Sequence, residues 1–519
     1  MDDKHRSGPI ELQRYSQDDV EETDIDFADM MRLGHQPVLK RNFKSLSVLG
    51  ITCVLLTTWM SILSASTFSL INGGRAGTIW TFLATWICTI PVVASLAEMA
   101  SMAPTAGGQY HWVSEFAPPT IQKPLSYLSG WLAALGWQTF VAGSGYATAV
   151  KLISLVSIAN PDYHHETWHN TLLTIAVGIF AILFNTFGAK HLPFLEGCVL
   201  FLYFAGFIAV VVPLWSFPQR ATAHEVFTDF SNLGGWSSIG AAVVLGQTAT
   251  ASALIGLDSA AHMAEEVKNA AKNVPRMMML SIGINGALGF VSIVTYIFAI
   301  KDVKEEVLNS PLNYPFIGIF EAATGSTGTA IGMTAPFVAL TACTCINSIM
   351  AASRQLFALA RDGGLPFSNF FMTLTKVGST PLPINAMFCS LIVLVVLALL
   401  NLGSNLIVGI IVSLLASGVG LTYSISIGCV LWRRLFGSPL PPTKWSLGRY
   451  GVAINAFAFF YQVFSTIIGF FPTTAHTTAK DMNWAVAVCG AVLLLSGISY
   501  IFHGRHVYVP PVERIRKME

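Results

Sequence analysis

Residues 238–262 read SIGAAVVLGQTATASALIGLDSAAH, and this stretch decides the fold. It is apolar and long enough to cross a bilayer, which takes about 20 helical residues. Near its inner end the segment IGLDS (255–259) interrupts the apolar run with a glycine and a carboxylate. A helix can break inside a membrane only where the freed backbone groups find partners or line a cavity. The stretch therefore predicts a broken transmembrane helix beside a polar site.

A second apolar run, 46–70, carries the polar segment TTWMS (57–61) near its centre. These two runs are the first and sixth of about twelve predicted spans. The predicted spans are 46–70, 77–101, 124–150, 170–188, 193–214, 238–262, 277–300, 328–357, 383–401, 405–432, 449–471 and 483–503. Breaks five spans apart are expected if spans 1–5 and 6–10 are inverted repeats, with spans 11 and 12 added.

The composition agrees with an all-α integral membrane protein. Of the 519 residues, 53% are hydrophobic and 11% are charged, whereas a soluble domain carries about 25% charged residues. The net charge is +1, and the absence of a basic stripe argues against nucleic-acid binding. All eight cysteines lie in apolar segments, so we expect buried thiols. We predict no metal site and no cofactor.

The distribution of lysine and arginine predicts the orientation, because these residues concentrate on the cytoplasmic side. With the N-terminus inside, the residues that fall on the other side are Arg75, Lys151, Arg220, Lys301, Lys304 and Lys480, out of 29 lysines and arginines. We therefore expect both termini to be cytoplasmic.

The chain divides into a polar tail (1–44), a transporter domain (45–503) and a basic C-terminal tail (504–519). The first tail is acidic through Asp18, Asp19, Glu21, Glu22, Asp24, Asp26 and Asp29. We expect this tail to be disordered and cytoplasmic. The alternative is a regulatory tail. Its candidate modification sites would be Lys4, Lys40 and Lys44.

Asp258 is the most informative single residue, because a carboxylate within a span costs several kcal/mol unless it has a partner or water. It could be the counter-ion of a substrate ammonium or a carboxylate that carries a proton. The alternative is a helix cap that accepts backbone N–H bonds. His262, one turn further on, could relay protons or be a satisfied histidine at the membrane interface.

Aromatic side chains near the proposed midplane could form a cage for an ammonium group, at roughly 0.5–2 kcal/mol per ring. The candidates are Trp59, Trp137, Phe140 and Phe337. Ordinary packing or lipid contact is the alternative for each of these rings.

Four strings resemble the signatures of a known family, the amino acid–polyamine–organocation transporters. They are AEMASMAPTAGGQY (97–110), GLDSAAHMAEEVKNAAKNVPR (256–276), ASRQLFALARDGGLP (352–366) and, more weakly, NTFGAKHLPFLE (185–196). More narrowly, the chain resembles the fungal amino acid/choline permease branch, which includes γ-aminobutyrate and choline permeases.

This resemblance implies a leucine-transporter-like inverted repeat of five plus five helices, with helices 1 and 6 broken, two extra helices and alternating access. The substrate would lie between the two breaks, and spans 3, 8 and 10 would complete its pocket. The substrate-binding candidates are Thr58, Trp59, Met60, Ser61, Gly256, Leu257, Asp258, Ser259, Trp137 and Phe337.

The charged residues of the matching strings would share the cytoplasmic surface. We interpret them as an inner-gate ion network that breaks and re-forms during transport. Its candidates are Glu265, Glu266, Lys268, Arg276, Arg354, Arg361 and Asp362. The alternative is a set of solvated charges, each contributing little. Glu98 is interpreted as a buried carboxylate that bonds a neighbouring loop, and Gly107 with Gly108 as a tight turn.

One departure from the superfamily concerns the substrate. Many members break span 1 with Gly-x-Gly, whose backbone amides hold a substrate carboxylate, whereas this chain has Trp59-Met60-Ser61. The departure widens the expected substrates to those with and without a carboxylate. We expect proton coupling; the candidate carriers are Asp258, Glu196 and His262. Sodium is the alternative, for which Thr344 and Ser348 could supply two ligands.

The leading hypothesis is a proton-coupled importer of the plasma membrane, for an amino acid or a related amine such as γ-aminobutyrate or choline. One alternative is a membrane nutrient sensor of the same fold. Another is an exporter or vacuolar carrier of a specialised metabolite. An enzyme is not expected, because no nucleophile–base pair, metal cluster or phosphate loop stands outside the predicted spans.

Overall fold

The structure, a computed structural model, describes residues 26–160, 162–216, 220–312, 314–378, 380–402, 406–479 and 482–516. Each predicted span is helical. The helices are Ser45–Leu56 and Thr58–Ile71 (span 1), Gly74–Met102 (span 2), Gln122–Ala159 (span 3), Thr167–Phe187 (span 4), Leu192–Ser216 (span 5), Ile239–Ser252 and Ser259–His262 (span 6), Ala270–Ala299 (span 7), Thr327–Arg361 (span 8), Ile384–Leu400 (span 9), Leu406–Phe436 (span 10), Gly451–Ile468 (span 11) and Ala485–Ser499 (span 12).

Ten helical segments of the described residues are long and apolar enough to cross a membrane, and the helices of spans 6 and 9 are shorter. The connections hold the short helices Gln109–Phe116, Ala223–Thr228, Pro315–Thr324, Ser368–Phe371, Arg505–Val507 and Pro511–Arg516. Strands β1 (Thr375–Val377) and β2 (Thr380–Leu382) pair antiparallel between spans 8 and 9. The architecture confirms the predicted all-α membrane fold.

Spans 1 and 6 are broken, as predicted. In span 1 the break is Thr57, a left-handed residue with φ 38° and ψ 42°. Trp59-Met60-Ser61, which we expected within the break, instead forms the first turn of the second helix. One left-handed residue is enough to interrupt the helix, so no Gly-x-Gly is required. In span 6 the helix ends at Ser252 and resumes at Ser259, with Gly256 at φ 99°.

The two breaks are tied to each other by polar groups. The Thr58 hydroxyl donates to the Ala253 carbonyl (2.8 Å), and the Thr58 N–H donates to Asn285 Oδ1 in span 7 (3.1 Å). Tyr203 of span 5 donates to the same Asn285 oxygen (2.9 Å). Backbone groups freed by a break must find partners in a membrane. These bonds supply partners at both breaks. They lie next to Thr57, a β-branched residue whose left-handed conformation is energetically costly.

Part of the N-terminal tail is ordered, which corrects our expectation of a disordered tail for residues 26–43. The Asp26 carboxylate accepts the Asn269 N–H at the start of span 7 (2.8 Å). Phe43 forms a parallel β-bridge with Val267. The sequence hides this order because few apolar residues anchor it; they are Met30, Leu33, Leu39 and Phe43, all buried. Lys4 and the acidic residues before position 26 lie outside the described residues.

The C-terminal tail also packs onto the protein. Tyr508 is fully buried, and its hydroxyl lies 2.6 Å from Ser126 Oγ. Both tails reach the helix Gln109–Phe116, because His35 lies against His111 and the Val512 N–H donates to Ser114 Oγ. The two tails therefore lie on one side, which we call the termini face. The other side is the opposite face.

Candidate transport site

The space between the two breaks is bordered by small and aromatic groups. Gly256 lies against the Phe140 ring of span 3; a Cβ at Gly256 would stand 3.5 Å from that ring. Phe140 and Ser61 are partly exposed although they lie at membrane depth. This partial exposure marks the groups that a bound molecule could contact.

Span 1 carries a partly exposed stripe on its second helix. The stripe consists of Ser61, Ser64, Ala65 and Phe68, which recur at helical spacing. Most of span 1 is buried inside the protein, and two of the four stripe residues are serines. This composition suits an aqueous path rather than lipid. The stripe extends from the break toward the opposite face.

Asp258 is the centre of a polar network just on the termini side of the break. Its Oδ2 accepts hydrogen bonds from Gln109 Nε2 (2.7 Å), Trp137 Nε1 (3.2 Å) and His262 Nε2 (3.1 Å). Its Oδ1 accepts the Tyr423 hydroxyl of span 10 (2.6 Å). The carboxylate is buried and joins spans 3, 6 and 10 with the connection after span 2. This arrangement links the break in span 6 to the connection after span 2 and to span 10.

The helix-cap interpretation of Asp258 is wrong. Asp258 stands at the N-cap position of Ser259–His262, but its side chain makes no capping hydrogen bond. Its four donors are all side chains from other turns or other spans.

Both ring nitrogens of His262 face oxygen atoms. Its Nε2 faces Asp258 Oδ2, and its Nδ1 lies 2.8 Å from the Ala106 carbonyl oxygen. A carbonyl only accepts, and a neutral imidazole has a single N–H. The two contacts are therefore satisfied together only when the Asp258–His262 pair holds one proton beyond a carboxylate and a neutral imidazole.

Several expected substrate contacts lie elsewhere. Trp59 is fully buried, and its ring packs edge-on against Phe337 (centroids 5.1 Å apart) and Tyr203 (6.2 Å). The rings of Trp59 and Phe337 thus fill the interface of spans 1, 5 and 8 instead of the space between the breaks. Met60 is buried, and its sulfur accepts a hydrogen bond from the Thr341 hydroxyl. The rings around Trp59 therefore do not form the expected cage for an ammonium group.

Three other candidates lie around Asp258. Trp137 bonds its carboxylate and stands edge-on to the His262 ring (5.2 Å). Leu257 is buried in the core. Ser259 is fully buried, and its hydroxyl has no hydrogen-bond partner among the described residues.

An ion network lies at the termini face. Arg361, at the end of span 8, binds Glu265 through two hydrogen bonds (2.8 and 2.9 Å), and Glu265 also accepts the Ala106 N–H (3.1 Å). Arg354 binds Glu266 at 2.7 Å. Burial opposes the ionisation of Glu265, but the Arg361 guanidinium outweighs it and holds the pKa of Glu265 below its ordinary value. Both pairs link span 8 to the connection after span 6.

Asp362 extends this network to the C-terminal tail. Its Oδ2 accepts the Tyr110 hydroxyl (2.9 Å), and its Oδ1 lies 3.2 Å from Arg514 Nε. Burial raises the pKa of Asp362 to about 6, although the guanidiniums of Arg361 and Arg514 oppose the shift. The C-terminal tail is thus anchored at this ion network.

Two predicted members of the network take other positions. Arg276 is exposed and forms no ion pair with the described residues. The Lys268 N–H donates to the Phe43 carbonyl, which ties this connection to the N-terminal tail.

Glu98, Gly107 and Gly108 lie at the termini-side end of span 2 and in the connection that follows it. The Glu98 carboxylate accepts the Leu447 N–H (2.9 Å) and pairs with Arg434. Gly108 has φ 53°, and a Cβ there would stand 2.9 Å from the His262 ring. The close approach of Gly108 lets the Ala106 carbonyl reach the imidazole.

Glu196 and the sodium-ligand candidates form a separate cluster. Glu196 is buried and accepts the Asn347 side-chain N–H of span 8 (3.2 Å). Thr344 donates to the Val54 carbonyl (2.8 Å), and Ser348 donates to the Cys345 carbonyl (2.9 Å).

Sequence reasoning missed three side chains: Gln109 and Tyr423, which bind Asp258, and Tyr110, which binds Asp362. Gln109 and Tyr110 stand at the end of the string 97–110, so the string itself was the available signal. Tyr423 stands in an ordinary apolar stretch, and nothing in its surroundings marks it.

Comparison with known proteins decides the family. The model of a family described as amino acid permease matches residues 43–493. The chain belongs to the amino acid permease family. It is therefore a transporter rather than an enzyme, and a multi-pass membrane protein.

Two relatives and one solved structure show the range of this likeness. Amino-acid permease 2 of Neurospora crassa is 29% identical, over 92% of this chain and 88% of the relative. The choline transporter of Saccharomyces cerevisiae is 26% identical, over 90% of this chain and 82% of the relative. The crystal structure of the Eremococcus coleocola manganese transporter shares the fold, with a TM-score of 0.51 and 12% identity, over 93% of this chain and 99% of that one.

Proposed function

We propose that the chain is a proton-coupled importer of an amino acid or a related amine, such as γ-aminobutyrate or choline. Proton coupling rests on one observation, the Asp258–His262 pair, whose contacts require a bound proton. Asp258 and His262 are the proton carriers in this proposal. Glu196 is a less suitable carrier because its described hydrogen bond goes to Asn347 and does not reach Asp258 or His262.

The proton and the closure of the termini face are linked through this pair. If the proton leaves, either Nδ1 or Nε2 of His262 faces an oxygen lone pair without a hydrogen between them. An unpaired buried polar contact costs about 1–3 kcal/mol. The Ala106 carbonyl belongs to the connection that also supplies Gln109. Loss of the proton therefore weakens the contacts that keep the termini face closed, and a proton released on that side accompanies opening.

The substrate's cationic nitrogen would bind between the breaks. Asp258 already accepts four donors, so it is not a free counter-ion in this state. The first helix of span 1 ends at Leu56 and that of span 6 at Ser252, and helix C-termini carry partial negative charge. Phe140 adds a partly exposed ring that can attract a cation. Amino acids, γ-aminobutyrate and choline share the cationic nitrogen that such a site would bind.

We further propose that the termini face is cytoplasmic and that the protein acts in the plasma membrane. The uneven distribution of lysine and arginine supports the orientation. The likeness to a fungal amino-acid permease and to a choline transporter supports an amine substrate. The ion pairs at the termini face then form the inner gate.

The test is radiolabelled uptake in a yeast strain that lacks its own amino acid and choline permeases. The strain expresses the chain and is given choline, γ-aminobutyrate and a mixed amino-acid panel, with and without a protonophore. We expect uptake of one substrate class that collapses with the protonophore. Asp258→Asn should abolish accumulation at normal surface abundance. Asp229→Asn is the matched control, because Asp229 is exposed in a connection.

Two results would refute the proposal. Protonophore-resistant accumulation would exclude proton coupling. Undiminished accumulation by the Asp258→Asn variant would remove Asp258 from the mechanism. Surface expression without uptake of any compound would favour a sensor or a carrier of a specialised metabolite.

A further inference from the structure

A small cavity of mixed polar and apolar lining lies against span 6, and its described lining includes no residue of span 1. It has a volume of about 40 Å³ and is bordered by spans 2, 6, 10 and 11. Its wall carries hydroxyl and amide side chains from all four spans, among them Thr89, Thr248, Ser417, Tyr461, Gln462 and Thr466. Tyr423 also lines the cavity, and the Tyr423 hydroxyl is the donor that binds Asp258 Oδ1.

Two hydroxyls of this wall have no protein partner. Thr248 Oγ1 and Ser417 Oγ are buried and make no hydrogen bond with the described residues. A buried hydroxyl without a partner costs about 1–3 kcal/mol, and native proteins pair nearly all such groups. A volume of about 40 Å³ has room for roughly three waters, at about 10–15 Å³ each. The cavity therefore suits a small cluster of ordered waters.

The cavity extends from the level of Asp258 toward the opposite face. Its lining on span 10 reaches from Tyr423 to Ala416, a rise of about 10 Å along the helix. Its lining on span 11 reaches from Tyr461 to Gly469, just beyond the end of that helix. Span 10 ends at the termini face and span 11 begins there, so both linings lead in the same direction.

We propose that this cavity is a hydrated route by which a proton reaches Asp258 from the opposite face. The substrate would use the separate path along the stripe of span 1. The proposal deepens the proposed function, because it rests on proton coupling at the Asp258–His262 pair. It also explains how that pair gains its proton while the ion network closes the termini face.

Tyr423 is the relay between the cavity and the pair. Its hydroxyl lies 2.6 Å from Asp258 Oδ1. A protonated water in the cavity gives one proton to the Tyr423 oxygen as the original hydroxyl proton moves to Asp258 Oδ1. At Tyr423 one O–H bond forms and one breaks, so the tyrosine is unchanged and the Asp258–His262 pair gains one proton. The titratable groups along this route are Tyr461, Tyr423, Asp258 and His262.

The test uses two cavity variants of the full chain, reconstituted in liposomes. Thr248→Val removes one unpartnered hydroxyl at almost constant volume, and Ser417→Val removes the other and fills space. Thr422→Val is the matched control, because the Thr422 hydroxyl is buried but bonds its own helix at the Val419 carbonyl (2.7 Å). Thr422 does not appear in the wall of the cavity.

Two activities are measured with a radiolabelled substrate. The substrate is choline or γ-aminobutyrate, whichever the wild-type protein transports. The first is accumulation driven by an imposed inward proton gradient, and the second is exchange of internal for external substrate without a gradient. We expect both cavity variants to lose gradient-driven accumulation by at least about tenfold, as for a removed proton-transfer group. Exchange should stay close to the wild-type rate, and the control should keep both activities.

Full gradient-driven accumulation in both cavity variants would overturn the proposal. Loss of exchange in both cavity variants would also overturn it, because the cavity would then serve folding or the substrate path. The same experiment tests proton coupling, on which the proposal rests. Wild-type exchange without any gradient-driven accumulation would refute proton coupling, and the route with it, while leaving transport itself intact.

Discussion

Neutralising Glu266 should open the termini face. Arg354 is 2% exposed, and its Nε lies 2.7 Å from Glu266 Oε1, so Glu266→Gln leaves a buried guanidinium without a counter-charge. Breaking a buried ion pair costs about 3–5 kcal/mol. Glutamine retains a hydrogen-bond acceptor, so we take the lower value of about 3 kcal/mol. When the gate opens, Arg354 can be hydrated, and the cost therefore falls on the closed state.

This energy predicts a large shift between the two states. At 1.36 kcal/mol for each power of ten, about 3 kcal/mol raises the open-to-closed ratio roughly a hundredfold. The reporter is Ser259→Cys in a background whose native cysteines are replaced by alanine. Ser259 is fully buried and its hydroxyl has no partner among the described residues, so the new thiol disturbs little. A membrane-impermeant maleimide applied from the termini face should label it in proportion to the open population.

Arg276→Gln is the control for this experiment. It also removes one charge from the termini face, but Arg276 is exposed, and an exposed charge contributes at most about 1 kcal/mol. The Glu266→Gln variant should therefore be labelled far faster than the control. If the two variants label at the same rate, the Arg354–Glu266 pair does not hold the gate closed.

Two further predictions concern folding and pH. Trp59→Ala should destabilise the protein by about 3–5 kcal/mol through the cavity it leaves, and should lower its abundance without changing KM; a raised KM at normal abundance would place Trp59 at the substrate. Asp362 has a raised pKa of about 6 against an ordinary 3.8, so its contribution is complete below pH 3.8 and is lost as the pH rises through 6. The melting temperature should fall as the pH rises from about 4 to about 6 and stay level above that, with a total contribution of about 3 kcal/mol for two pKa units. Asp362→Asn should flatten this slope, and equal slopes would exclude Asp362 as its source.

The fold could be predicted from the sequence because each pattern that indicates it lies within a short stretch of the chain. Apolar length identifies the spans, and the IGLDS segment (255–259) identifies the break in span 6. The predicted break in span 1, TTWMS (57–61), includes the observed break at Thr57, but its proposed equivalent of Gly-x-Gly, residues 59–61, lies two residues beyond it. A single left-handed threonine at position 57 carries no composition signal, whereas the adjacent polar and bulky residues drew attention to 59–61.

The site was less predictable because its contacts are long-range. Asp258 was identified as unusual on its own span, but its partners come from residues 109, 137 and 423, far away in sequence. The role of Trp59 was predicted from its place beside the break. Only the packing shows that its ring turns toward spans 5 and 8, because a helix presents adjacent residues to different neighbours.

The order of the tails could not be read from their composition. Residues 26–43 are polar, and polarity predicts disorder when a segment must form its own core. This segment instead adds a few apolar side chains to an existing core and caps span 7 with Asp26. Its order depends on a surface that the local sequence does not contain.

The most direct test of the account is proton movement during transport. Liposomes that contain the purified protein and an internal pH-sensitive dye receive the accepted substrate, without an imposed proton gradient. The account predicts internal acidification that follows substrate entry and disappears in the Asp258→Asn variant. Substrate entry without acidification, or acidification that survives in Asp258→Asn, would contradict proton coupling through the Asp258–His262 pair.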